Sequence, residues 1–124
     1  MARAPLRQLL PKYRRIALKV YQGVCIEHSL GVQEGTPVDT GALRRSWTPA
    51  INYTDESNRG GNVIAIARSL TLSDRYTFTT AMPYARRIEY MGHSPQAPRG
   101  MMRVQIAKHQ QVVDAQVRRY RNAA

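Results

Sequence analysis

Two connectors rich in proline and glycine, LGVQEGTP at 30–37 and GHSPQAPRG at 92–100, divide the chain into three segments. No regular element runs easily through either, because proline removes a backbone donor and glycine carries a high conformational entropy. The first segment repeats apolar residues at three- and four-residue spacing: Leu6, Leu9, Leu10, Tyr13, Ile16, Ala17, Val20 and Val24. That period predicts an amphipathic helix, started or broken at Pro11 and ending before Gly31. The last segment, from about Met101 to Arg121, reads as a second long helix on Met102, Ile106, Val113 and Val117.

The middle segment changes period. Trp47–Tyr53 reads as a strand, with Pro49 arguing for a sheet edge or a later start. DESNRGGN at 55–62 reads as a hairpin loop, VIAIARS at 63–69 as a second strand and RYTFTTA at 75–81 as a third. Pro83 is suited to the first position of a short helix, PYARRIEYM. The expected fold is α+β: one domain over 1–124, with a small antiparallel sheet of three to four strands. Long N- and C-terminal helices and a short inserted helix pack on that sheet.

Between the first connector and the sheet stands TPVDTGALRRSW at 36–47. Pro37 orders the approach, and Asp39 can accept from the orphaned N–H groups of a helix start. Gly41 turns the backbone without a Cβ penalty, and Leu43 and Trp47 are spaced to share one helical face.

Charge narrows the function. Nineteen Lys and Arg against eight Asp and Glu give +11, and sixteen of the nineteen are arginine. An arginine-coding bias in a GC-rich genome would yield the same excess, but arginine also suits bidentate contact with phosphate or carboxylate. The cations gather at the two ends of the sequence: Arg7, Lys12, Arg14, Arg15 and Lys19 in the first helix, and Arg118, Arg119 and Arg121 in the last. One cysteine, Cys25, excludes an intrachain disulfide and a cysteine zinc cluster. The longest aliphatic run, VIAIA, is far too short for a bilayer, and the basic start has no apolar stretch of signal-peptide length.

Catalysis finds little footing. There is no phosphate-binding P-loop, and Gly60-Gly61 does not precede an expected helix. His28, His93 and His109 have no metal-ligand spacing, and no pairing of carboxylates is evident. Cys25 and His28 are three apart on a helix, but read better as a small face residue and a helix-end residue than as a thiolate pair. The expectation is a non-enzyme without cofactor or metal. Non-specific nucleic-acid binding by a monomer is the rival reading, since the charge favours phosphate while no helix-turn-helix, zinc-finger or RNA-recognition signature accompanies it. A basic amphipathic first helix could also lie on an anionic membrane, although its apolar stripe is equally expected for core packing.

Three blocks in order carry a family resemblance: Pro37-Val38-Asp39-Thr40-Gly41 with Leu43, Arg44 and Ser46; Tyr84-Ala85 with Ile88-Glu89-Tyr90; and Ala97-Pro98-Arg99 before the last helix. Together they resemble the head–tail joining, or neck and tail-completion, minor tail proteins of tailed bacteriophages. The chain departs from the family pattern in two places. Met91 stands between the Glu-aromatic pair and Gly92, and Gly100-Met101-Met102 replaces a Pro-aromatic-Leu continuation.

The resemblance implies a structural virion protein at the head–tail junction, assembled in the bacterial host cytoplasm. It implies a homo-oligomeric ring, six-fold or twelve-fold, around the path of the genomic DNA. Its neighbours would be the connector or head-completion protein and the tail terminator or tube. On this reading Pro37, Asp39, Thr40, Gly41, Leu43 and Trp47 form a structural turn. Arg44, Arg45, Tyr84, Arg86, Arg87, Glu89 and Tyr90 would form a subunit or partner interface, with Glu89 pairing Arg44 or Arg45. The eight terminal cations would face DNA or acidic partner surfaces.

Overall fold

The computed structural model describes residues 6–37, 41–91, 97 and 99–122. Helix α1 (Leu6–Gly35) runs thirty residues, with Pro11 inside it. It continues beyond the expected stop at Gly31. Gly31 and Gly23 mark instead where side chains of the C-terminal helices cross: a Cβ at either position would overlap Gln105 or Gln116, respectively. Both glutamines are buried, and Gln116 Nε2 donates to Glu27 Oε2 at 2.7 Å. Close approach, and not chain termination, accounts for these glycines.

A short helix α2 (Ala42–Ser46) follows, then strand β1 (Thr48–Ile51). β1 pairs antiparallel with β2 (Tyr76–Thr79), Thr48 opposite Thr79 and Ile51 opposite Tyr76. The described residues form a two-stranded sheet. The architecture is therefore mixed helix and sheet, but the expected strand at 63–69 is a helix, α3 (Val63–Arg68).

Three features turn that segment from strand to helix. The Asn62 side chain caps its start, accepting from the Ala65 N–H at 3.0 Å. Val63, Ala67 and Leu70 are buried while Ala65, midway between the first two, is exposed, which is a helical and not a strand pattern. At the other end Gln22 Nε2, from α1, donates to the carbonyls of Arg68 (3.2 Å) and Leu70 (3.0 Å). The last carbonyls are thus satisfied by tertiary contact, which local sequence does not reveal.

The expected hairpin loop at 55–62 likewise leads into α3 and folds back on the sheet. The Gly60 N–H donates to Thr48 Oγ1 (3.0 Å), and the Ala81 N–H to Asn58 Oδ1 (2.7 Å). Within it Asp55 is paired with Arg59 at 3.0 Å.

Helix α4 (Ala85–Met91) forms where the Pro83 segment was expected to be helical. The C-terminal helix is divided into α5 (Met102–Ala107) and α6 (His109–Tyr120) at Lys108. Lys108 donates its N–H to the Gln105 carbonyl while its own carbonyl accepts from Val112, so one residue ends one helix and begins the next. α6 lies along α1.

The core gathers Val32 of α1, Leu43 of α2, Trp47, Ala85 of α4, Ala97 and Met101, with Phe78, Met82, Ile88 and Met102 against them. No helix among the described residues is long and apolar enough to cross a membrane.

Candidate interaction surfaces

Of the turn expected before α2, the described residues include Pro37 and Gly41. Asp39 and Thr40 lie outside the described residues, so the expected aspartate cap does too. Pro37 is buried, and Gly41 stands at the N-cap in the left-handed region (φ 71°), its carbonyl accepting from the Arg45 N–H at 3.1 Å. Leu43 and Trp47 are both buried. Trp47 stacks on Phe78 of β2 with ring centroids 5.4 Å apart, as an anchor to the sheet requires. Its indole Nε1 donates to Thr36 Oγ1 (3.0 Å), and that hydroxyl donates in turn to the Val32 carbonyl (2.6 Å).

Of the seven residues assigned to an interface, two are committed inside the molecule. Glu89 is 8% exposed and pairs with neither Arg44 nor Arg45. Its carboxylate accepts the N–H groups of Met101, Met102 (2.9 Å) and Arg103 (2.8 Å), and Arg103 Nε lies 3.5 Å away. The Arg103 guanidinium also donates to the Glu89 main-chain carbonyl. Glu89 therefore supplies the acceptors that the first turn of α5 lacks.

Burial is the largest influence on the Glu89 carboxyl and opposes its ionisation. The Met101, Arg103 and Met102 N–H groups and the Arg103 charge together outweigh it and hold the carboxyl below its ordinary value. Arg44 spans from α2 to the end of α1, donating through Nη2 to the carbonyls of Glu34 and Thr36, both at 3.1 Å.

Gly100 closes the same clamp. Its φ is 90°, and an added Cβ would sit 2.6 Å from the Glu89 carbonyl oxygen. Gly100→Ala is expected to cost about 2 kcal/mol through backbone strain and displacement of Glu89. Urea unfolding of the variant beside wild type measures it; an unchanged midpoint would contradict the clamp.

The other assigned residues, Arg45, Tyr84, Arg86, Arg87 and Tyr90, are exposed, and Tyr90 lies under the Arg103 guanidinium at 5.2 Å. The four in α4 and just before it, Tyr84 to Tyr90, present two aromatic rings and two guanidinium groups on one short helical segment.

The eight terminal cations are all exposed. Because α6 returns along α1, the end of α6 comes beside the middle of α1: Lys19 Nζ and the Arg119 guanidinium sit 6.0 and 5.3 Å from the Tyr120 ring centroid. One member of each basic cluster, a hundred residues apart in sequence, thus meets at a single ring.

The fold also joins two histidines that sequence spacing kept apart. His28 Nε2 lies 3.0 Å from His109 Nδ1, and His28 Nδ1 lies 3.3 Å from Gln105 Oε1. Gln105 Oε1 can only accept, so His28 donates from Nδ1 and, when neutral, accepts at Nε2 from His109. Nothing in the sequence signals this pairing, since it depends on α6 returning beside α1. Beside it, burial pushes the Cys25 thiol up to about 11, so it is a neutral thiol at neutral pH. His93 lies outside the described residues. Among those described, no group of three or more His, Cys, Asp or Glu could hold a metal ion.

Comparison with protein-family models, with curated proteins and with solved structures finds no match to this chain.

Proposed function

We propose that this chain is a non-enzymatic assembly protein of the head–tail junction of a tailed bacteriophage, acting in the virion as a ring that joins connector to tail around the DNA path. The observation that carries the reading is convergence. The three sequence blocks that resemble the joining family lie far apart in the chain, yet Leu43 of the first, Ala85 and Ile88 of the second, and Ala97 of the third meet in one core. Glu89 of the second block then binds the backbone that follows the third. Motifs that fold into one unit are better explained as a shared domain than as three coincidences.

The proposed subunit contact is the exposed face of Tyr84, Arg86, Arg87 and Tyr90. Aromatic and arginine side chains are the types that dominate well-packed interfaces. Arg86→Glu combined with Arg87→Glu is expected to leave the fold intact, since both side chains are exposed. The same change should reduce a multimer to monomers on a sizing column with light scattering. An undiminished multimer would remove α4 from the interface.

Monomeric binding to nucleic acid is the second reading, favoured by the eight exposed cations and by the meeting of Lys19 with Arg119 beside Tyr120. It predicts steeply salt-dependent affinity for any duplex.

A further inference from the structure

Between α1, α3 and α6 lies a pocket of about 660 Å³ in which three cations converge: Lys19 of α1, Arg68 of α3 and Arg119 of α6. Arg68 belongs to neither basic end of the sequence. It reaches the pocket because its segment folds as a helix, whose end Gln22 of α1 holds through the Arg68 and Leu70 carbonyls. α6 is fixed against α1 where Gln116 crosses Gly23 and donates to Glu27. Lys19 Nζ and the Arg119 guanidinium lie 6.0 and 5.3 Å from the Tyr120 ring centroid. That ring orders two flexible side chains before any ligand arrives, which lowers the cost of binding one.

Charge sets the ligand. Among the described residues the ion pairs are Asp55 with Arg59 and Glu89 with Arg103, so none of the three cations is neutralised. Glu27 is the one carboxylate lining the pocket, and its Oε2 already accepts from Gln116 Nε2. Three cations against one carboxylate leave two positive charges in excess. A concave wall concentrates their potential more than an open face would. A carboxylate would neutralise one of them. A terminal phosphate brings about two negative charges, as do two successive backbone phosphates, and guanidinium forks match phosphate oxygens.

We propose that this pocket binds phosphate oxygens, supplied by a nucleic-acid backbone or by a free phosphate. The site goes beyond the assembly reading and does not require it, because one copy of the chain supplies every residue that lines it.

The test compares equal charge changes inside and outside the pocket, using the full chain at low salt. A fluorescent duplex of about 20 base pairs is followed by anisotropy. Arg68→Gln and Arg119→Gln should each weaken its binding by about tenfold. Arg7→Gln and Arg87→Gln should each weaken it by about twofold or less. Neither of those residues lines the pocket, and Arg7 lies about 18 Å along α1 from Lys19. All four side chains are exposed, so the melting temperature should hold in every variant.

Calorimetry with inorganic phosphate separates the two sources. Binding heat that Arg68→Gln abolishes, with duplex affinity unaffected by that change, would assign the site to a free phosphate. The duplex pattern without phosphate heat would assign it to a nucleic-acid backbone. Equal losses in all four variants, or binding of neither probe by wild type, would overturn the proposal. So would a polyglutamate peptide that binds more tightly than both probes and is released by Arg68→Gln, which would give the pocket to carboxylates.

Discussion

Glu89→Ala is expected to lower the unfolding free energy by about 3 kcal/mol, because it strands three backbone donors at a helix start and leaves a guanidinium without its counter-ion. The magnitude follows from the number of partners. Each hydrogen bond to a charged group contributes roughly 1.5 to 3 kcal/mol, but the three share one carboxylate and the freed N–H groups regain some water. Glu89→Gln keeps the shape and one acceptor oxygen, so about half of the loss is expected.

The lowered carboxyl pKa gives the effect a pH signature. A carboxyl whose folded value lies below its unfolded one contributes stability that is fully present above the unfolded value, about 4.3. That contribution is lost as pH falls through the folded value. Wild type should therefore exceed Glu89→Gln in urea midpoint at neutral pH, with the gap closing in acid. A gap that persists unchanged in acid would show that the carboxylate charge is not what secures α5.

Trp47→Ala is expected to cost about 4 kcal/mol, the range for deleting a buried aromatic with incomplete collapse of the cavity. Trp47 is 6% exposed, stacks on Phe78 and belongs to the cluster in which α1, α2 and α4 meet. Trp47→Phe should cost less, about 2 kcal/mol. It retains an aromatic ring, and Thr36 Oγ1 still donates to the Val32 carbonyl when the indole donor is gone. Circular dichroism is the suitable probe, because Trp47 is the sole tryptophan and its fluorescence leaves with it. A loss below about 1 kcal/mol for Trp47→Ala would mean that the turn is not anchored through this ring.

Both residues belong to blocks that sequence reading had singled out, yet only one role was legible. Trp47 and Leu43 were expected as anchors because apolar spacing survives translation into burial. Glu89 was expected to face Arg44 or Arg45, since opposite charges on neighbouring segments invite pairing. It turned inward because the start of α5 has no side-chain cap of its own and needs acceptors.

The apolar period of the first helix is legible in the sequence, but its end is not, because Gly31 serves inter-helix contact and the helix runs on to Gly35. VIAIARS reads as a strand because β-branched residues are concentrated there. Its capping by Asn62 was readable in principle as an N-cap signal, whereas the bond from Gln22 was not. The His28–His109 pair, the meeting of Lys19 with Arg119 and the pocket they share with Arg68 all depend on α6 returning beside α1, a tertiary fact without a local signature.

The measurement that bears first on the assembly reading is the mass of the purified chain by light scattering on a sizing column, at low and high salt, with negative-stain imaging of any large species. The reading predicts a discrete ring whose mass is a fixed multiple of 14.1 kDa and survives high salt. A monomer at every concentration, binding duplex DNA tightly at low salt and releasing it at high salt, would contradict that reading and establish the nucleic-acid alternative.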